Sequence, residues 1–237
     1  MQPEVTFSTS CYEKDWEFLL KTNRLEQMIH YNNYPFTHKI LYINNITSRN
    51  EVEEYAKKYM ASGIITNYIF VQDYQKEALN FFEIEENSFD GGLYYSIQHL
   101  AAIYLCPTPY LLGFTGDSML AKPFNWIESA IKKLNCSEIL KVANPTWNHR
   151  YLEAKEESLY ELEDFYISYG FSDQCYLIEA DQFRAPIYNE KNIISERYPL
   201  YGGNTFEKRV DSWMRNHHFY RLTHKYISYI HKDFPKN

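Results

Sequence analysis

Four runs rich in β-branched and aromatic residues punctuate the first half of the chain, with helix-like segments between them. The runs are Val5–Ser10, Lys39–Ile46, Ile64–Val71 and Tyr110–Phe114. Between the first two, Asp15–Gln27 and the next residue carry Phe18, Leu19, Leu25 and Met28 at helical spacing, with Asp15 placed to cap. Arg49–Tyr59 is charged and amphipathic and follows Ser48, a suitable N-cap. Asp90-Gly91-Gly92 opens a third helical stretch, Leu93–Leu105. This β-α-β-α-β-α-β alternation predicts an α/β fold with a mixed, mostly parallel sheet flanked by helices, because parallel neighbours need right-handed crossovers.

The rhythm changes after the helical stretch Pro123–Leu134. Glu138–Val142 reads as a strand, Asn144–Asn148 as a loop, and Leu152–Asp164 as an acidic surface helix or loop. Tyr176–Ile178 reads as a short strand. Gly202–Thr205 is a turn before a strong helix, Phe206–His218, and Tyr226–His231 is strand-like again. No repeat or low-complexity linker interrupts the chain. Its 237 residues suit a single domain, 1–237, with halves at 1–120 and 121–237.

Composition narrows the function. The net charge of −7 argues against nucleic-acid binding, which calls for a basic face. The four cysteines form no C-x-x-C pair and read as reduced, mostly buried thiols. No apolar run approaches the roughly 18 residues of a membrane span, so no transmembrane segment is expected. Met-Gln-Pro-Glu-Val lacks the basic and apolar blocks of a secretory leader, and a cytoplasmic location is expected. The last segment, which mixes aromatics with Lys, Arg and His, leaves a peripheral association with a membrane open.

The chemistry concentrates where the fourth run stops. Tyr110-Leu111-Leu112-Gly113-Phe114 ends at Thr115-Gly116-Asp117-Ser118. Such a strand presents one carboxylate and two hydroxyls at its carboxyl end, where ligands bind in open α/β sheets. Asp117 has several readings: a turn residue capping the next helix, a ligand for Mg²⁺ or Mn²⁺, part of a phosphate nest, or a neighbour of a nucleophilic Ser118. The last resembles the GDS block of GDSL-type esterases. That reading needs a late D-x-x-H to supply a base, and the chain has none. A metal needs a second ligand, for which His231 is placed at the end of the terminal run. Glu207, in the first turn of its helix, and Asp173, in the Gly-Phe-Ser-Asp-Gln turn, are candidate acid–base residues. Each also has a plain structural reading, as a surface Glu favoured by the helix dipole and as an Asx turn. No Walker A sequence occurs, and no G-x-G-x-x-G follows the first strand. The segment after that strand, STSCYEKDWEF, lacks the Gly-rich basic loop of sugar nucleotidylyltransferases.

With these residues in view, the chain resembles the GT-A (Rossmann-like) glycosyltransferases, nearest in style to the inverting enzymes of family 2. VTFSTSCY resembles their first strand and loop, LYINNI their second strand, and PYLLGFTGDSML the helix-fed strand that carries a D-x-D motif. Here that motif is degenerate, with Thr115 in place of the first Asp. YGGNTFE resembles the segment bearing the catalytic carboxylate, and YISYIH the late metal-binding His.

The resemblance implies a nucleoside-diphosphate sugar donor, UDP- or GDP-linked, and a hydroxyl acceptor such as a glycan. It implies donor contacts from Ser8, Thr9, Ser10, Tyr12, Asn44, Asn45, Thr115, Gly116 and Asp117. Asp117 and His231 would hold a divalent metal, Mn²⁺ or Mg²⁺. Glu207 would be the base of an inverting transfer, with Asp173 a second candidate for that role, and Trp147 and Asp173 would lie on the acceptor side. Competing expectations are a sugar nucleotidylyltransferase, a GDS-type hydrolase, or an inactive module that binds a nucleotide sugar.

Overall fold

The computed structural model describes residues 2–198 and 202–231. Its elements run β1 (Val5–Cys11), α1 (Trp16–Leu20), α2 (Arg24–Tyr31), β2 (His38–Ile43), α3 (Arg49–Ala61), β3 (Asn67–Phe70), α4 (Gln75–Phe81), α5 (Leu93–Tyr104) and β4 (Tyr110–Thr115). There follow β5 (Ser118–Leu120), α6 (Ile127–Leu134), β6 (Leu140–Trp147), α7 (Tyr151–Glu156), β7 (Tyr160–Leu162), β8 (Phe165–Ser168), β9 (Cys175–Glu179), α8 (Ala180–Phe183), α9 (Phe206–Asn216) and β10 (Tyr220–His231).

Among the described residues ten strands form one sheet, in the order β3-β2-β1-β4-β9-β6-β10-β8-β7, with β5 paired to β10 off that path. The first four strands in that order are parallel. β9 then inserts antiparallel between β4 and β6, β10 runs parallel to β6, and β8 and β7 close the edge as an antiparallel pair. The mixed α/β sheet flanked by helices is the architecture the alternation predicts.

Strand alternation divides the core into two layers. Leu41, Ile43, Leu112 and Phe114 face one side, with α1, α2, α3 and α6 packed on it. Ile40, Tyr42 and Leu111 face the other, with α4, α5, α8 and α9. Both faces are covered, which is why the central runs read as nearly continuous apolar stretches. Leu112 is fully buried, and truncating such a side chain to Ala costs about 2–5 kcal/mol. The four cysteines are free, and Cys11, Cys106 and Cys175 are buried.

Several expectations need correction. The helix expected over Asp15–Gln27 is two helices. Thr22 breaks it: its hydroxyl donates to the Phe18 carbonyl and accepts from the Arg24 amide, offering the backbone a partner outside the helix. The expected loop Asn144–Asn148 is mostly strand, since β6 runs through Pro145 to Trp147. Pro145 is tolerated because the β6–β10 pairing shifts register beside it, between His224 and Ser228. The acidic segment after Tyr151 is α7 followed by the β7–β8 pair. Finally, β10 begins six residues before Tyr226, the start expected from the sequence.

Candidate functional site

Topology brings distant residues to one edge of the sheet. β1 pairs with β2 on one side and β4 on the other, so the strand order reverses there and a crevice opens at the carboxyl ends. Ser10 of β1 stands in register with Thr115 of β4. Because β9 is antiparallel to β4, its start lies at the same edge, and the Thr115 amide donates to the Gln174 carbonyl at 3.1 Å. β10 is antiparallel to β5, with His231 opposite Ser118. The resulting cavity measures about 440 Å³. It is lined by residues of both chain halves, including Ser10, Tyr12, Asp15, Asn44, Thr115, Gly116, Asp117, Asp173, Glu207 and His231.

Asp117 and His231 form a polar pair in its wall, with Oδ2 and Nε2 3.0 Å apart. Thr115 Oγ1 donates to Asp117 Oδ1 at 2.6 Å and so fixes the orientation of that carboxylate. Burial opposes ionisation of Asp117. The hydrogen bond and charge of His231 outweigh it, with help from Thr115, and the carboxyl is held below the usual range. Ser118 is fully buried and sits 3.5 Å from Asp117 Oδ1, so its hydroxyl is not presented to the cavity.

Three further carboxyls face the same space. Asp15 is 4% exposed, and its Oδ1 accepts from the Tyr12 amide at 2.7 Å. Burial, and then the charge of Asp117, push its pKa to about 8. Asp173 is pushed to about 6 by burial and Asp117, with His231 opposing. Glu207 is raised well above the ordinary range by burial and then by Asp173, although Arg197 and the Asp173 backbone amide favour its ionised form. His99 approaches Asp173 at 3.9 Å, but burial lowers its pKa to about 3 and keeps it neutral. Its Nδ1 lies 3.1 Å from the Tyr176 hydroxyl.

Glu207 is positioned by a backbone-to-backbone contact. The Asn204 amide donates to the Phe89 carbonyl at 2.7 Å, docking the turn before α9 on the entrance of α5. Ser96 of α5 accepts from the Phe206 amide at 2.8 Å and so satisfies a first-turn donor of α9. Buried Arg209 secures the same loops through the carbonyls of Ser88, Tyr188 and Asn204.

Glu207 also lines a second cavity of about 300 Å³, together with Trp147, Arg150, Arg197, Arg221 and others. Glu207 and Gln174 are common to both walls. Trp147, expected on the acceptor side, lies in this second cavity with Arg150 over its ring at 4.2 Å. Asp173 lines the first cavity instead.

Not every expected contact reaches the first cavity. Ser8 and Thr9 are buried within β1 and stand back from its lining, and the Ser8 hydroxyl donates to the Leu112 carbonyl. Asn45 lies beyond the lining and accepts from Gln72. Asn44 does line it, but its amide already donates to Gln98 and to the Tyr94 carbonyl. The sequence reading missed Asp15, Tyr94, Tyr95, Gln98 and His99. Asp15 stood out only as a helix cap; its place four residues after β1, at the switch point, was the usable signal. Tyr12 packs edge-on to Tyr94 at 6.1 Å, which gives this cavity an aromatic wall.

Donor chemistry fits a hard divalent cation. Asp117 and His231 offer an oxygen and a nitrogen at a separation close to that of adjacent ligands on an octahedral ion, about 3.0 Å for bonds of ~2.1 Å. Among the described residues no group of three His, Cys, Asp or Glu is arranged to hold a metal. Among the described residues no Lys or Arg lines this cavity. A bound diphosphate would therefore meet carboxylates unless a cation came with it.

No protein-family model matches the chain, and no curated protein matches it. Among solved structures the chain is similar to GalNAc-T7 determined with UDP, GalNAc and Mn²⁺. The TM-score is 0.58 at 10% identity, over 97% of this chain and 44% of that one, so this chain spans less than half the length of its neighbour. The likeness is one of fold: the chain has the GT-A glycosyltransferase fold.

Proposed function

We propose that the protein is an inverting, metal-assisted glycosyltransferase that moves a sugar from a nucleoside diphosphate, by preference uridine diphosphate, to an acceptor hydroxyl. The observation that carries this reading is the position of Glu207 in the wall shared by two cavities. A base at that boundary reaches a hydroxyl entering from one side and a reacting carbon held on the other. The degenerate D-x-D at Thr115-Gly116-Asp117 and the late His231 belong to the same reading, as does the similar structure's content of UDP and Mn²⁺.

The donor occupies the first cavity, with its base near Ser10, Tyr12 and Asn44. Asp117 and His231 would hold the divalent ion, Mn²⁺ or Mg²⁺. Bound there, the ion offsets the negative charge that builds on the departing diphosphate. Thr115 keeps Asp117 turned toward His231. Asp173 binds a hydroxyl of the transferred sugar. Glu207 takes the proton of the acceptor hydroxyl as it attacks the anomeric carbon opposite the leaving group. Burial makes Glu207 a stronger base than a surface carboxylate, and the Asp173 amide steadies its ionised form. The chain's second half supplies the acceptor cavity through Trp147 and its neighbours.

The test is a panel of UDP- and GDP-sugars read by thermal shift and by release of nucleoside diphosphate, with Mn²⁺ or EDTA. Glu207→Gln should keep the shift given by UDP and Mn²⁺ while losing turnover. Full turnover by Glu207→Gln would overturn the assignment of the base. Full activity in EDTA would overturn the metal.

A further inference from the structure

The second cavity gathers guanidinium groups with loose partners. A Cβ built on Gly170 would stand 3.1 Å from Arg197 Nη2 and 3.3 Å from Arg221 Nη1, so two cations meet over one backbone position. Arg197 Nη2 donates to the Tyr198 hydroxyl and Arg221 Nη2 to the Ser168 hydroxyl, both at 3.2 Å, and these neutral partners leave the two positive charges open to an anion. The resident carboxylates serve poorly. Glu157 is 3.6 Å from Arg221, and Asp211 is 3.6 Å from Arg197, both beyond hydrogen-bond range. Asp211 gives its Oδ2 to Arg215 at 2.8 Å and Ser195 at 2.6 Å, while its Oδ1 stands 3.6 Å from Arg197 with no hydrogen-bond partner among the described residues. Glu153 is occupied by Arg150 at 3.0 Å.

A second observation points the same way. Arg221 Nε, Trp147 Nε1 and Thr223 Oγ1 are buried and have no hydrogen-bond partner among the described residues. All three residues line this cavity, and Thr223 is 4% exposed. Buried donors without acceptors are destabilising, and they persist where a ligand supplies the acceptor. These three outnumber the two orphaned acceptors nearby, Asn144 Oδ1 in the lining and Asp211 Oδ1 beside Arg197.

We propose that the second cavity binds a saccharide bearing an anionic group, a carboxylate or a phosphate, held by Arg197 and Arg221. Planar guanidinium forks suit either anion. Calling this saccharide the acceptor rests on the transferase reading; the anion site itself rests on the arginines and the unpaired donors.

The test is calorimetric titration of the full chain with glucuronate, N-acetylneuraminate and glucose 6-phosphate, against glucose and N-acetylglucosamine. At least one anionic sugar should bind about tenfold tighter than the neutral sugars. Arg197→Gln and Arg221→Gln should each remove most of that preference. Arg197 is half-exposed, so its variant remains informative if Arg221→Gln fails to fold. A carboxylate-only or a phosphate-only preference identifies the group. Equal binding of charged and neutral sugars, no binding by any anionic sugar, or a preference surviving both variants would overturn the proposal. Binding of UDP with Mn²⁺ is measured in parallel. Nucleotide binding without anion preference sinks this site and spares the transferase reading, and the reverse pattern spares the site alone.

Discussion

Asp117 Oδ2 and His231 Nε2 stand 3.0 Å apart although 114 positions separate them in the chain. The antiparallel β5–β10 pairing makes that meeting, by setting His231 opposite Ser118. If the pair holds the cation that carries the donor diphosphate, either partner is indispensable to it. Asp117→Asn and His231→Ala should each weaken Mn²⁺-dependent binding of UDP by at least about 10–100-fold, the scale seen when a metal site loses a supporting group. Titrating Mn²⁺ against a fixed UDP concentration by thermal shift reads this directly. An unchanged midpoint in both variants would remove the metal from this pair.

Glu207 sets the pH dependence. Burial, and then the Asp173 charge, raise its pKa above the ordinary carboxyl range, so its basic form needs a higher pH than a surface Glu does. The transfer rate should rise with pH through the neutral range, and Glu207→Gln should be slower by about 10²–10⁴-fold with a flattened profile. Stability should run the opposite way. A carboxyl whose folded pKa exceeds its unfolded value binds its proton more tightly when folded, so stability falls as pH rises between the two values. Glu207→Gln should therefore melt higher than the parent at pH 8–9, with the gap closing toward pH 4. Product with retained anomeric configuration, seen by NMR, would take the base role from Glu207.

The central sheet was readable because its strands obey local rules. Val5–Ser10 and Tyr110–Phe114 are apolar, β-rich and bounded by polar punctuation, and both became strands within a residue of expectation. β5 and β7 span only three residues each, too few to show a period. They matter all the same, since β5 is what seats His231. Asp173 and Glu207 could be named from their turns, but their proximity depends on β9 entering antiparallel to β4, a long-range pairing that no local pattern encodes. Asp15 was hidden for a different reason. An Asp before a helix looks the same in sequence whether its side chain caps the helix or, as here, leaves it uncapped and accepts from the Tyr12 amide beside a cavity.

Asp15 carries its own expectation. Its pKa is pushed to about 8, mainly by burial, so it is protonated at neutral pH and its ionisation destabilises the fold as pH climbs from about 4 to about 8. Asn in its place keeps an oxygen for the Tyr12 amide and cannot ionise. Asp15→Asn should stabilise the protein at pH 9 by about 1–2 kcal/mol, roughly 2–8 °C in Tm, and should be neutral near pH 4. Equal melting at pH 9 would show that Asp15 is already solvated or paired when ionised.

The turn before α9 is where a small backbone change should reach the chemistry. Gly203 has φ +67°, and a Cβ there would lie 2.4 Å from the Asp90 carbonyl oxygen and 2.5 Å from that of Phe89. Both neighbours are backbone, so neither can swing aside as a side chain would. Gly203→Ala must bear the left-handed backbone cost of roughly 1–2 kcal/mol and also push apart the loops that dock α9 on α5. Gly63 isolates the first cost, because its φ is +74° and nothing lies within 4 Å of an added Cβ. Gly63→Ala should lower Tm by roughly 2–8 °C and leave donor turnover intact. Gly203→Ala should lose more stability than that and should lose turnover besides, because Glu207 lies four residues along the displaced segment. Measured by thermal melts and UDP release on the two variants side by side, equal losses of stability with full turnover in both would mean that the turn tolerates a shift without moving Glu207.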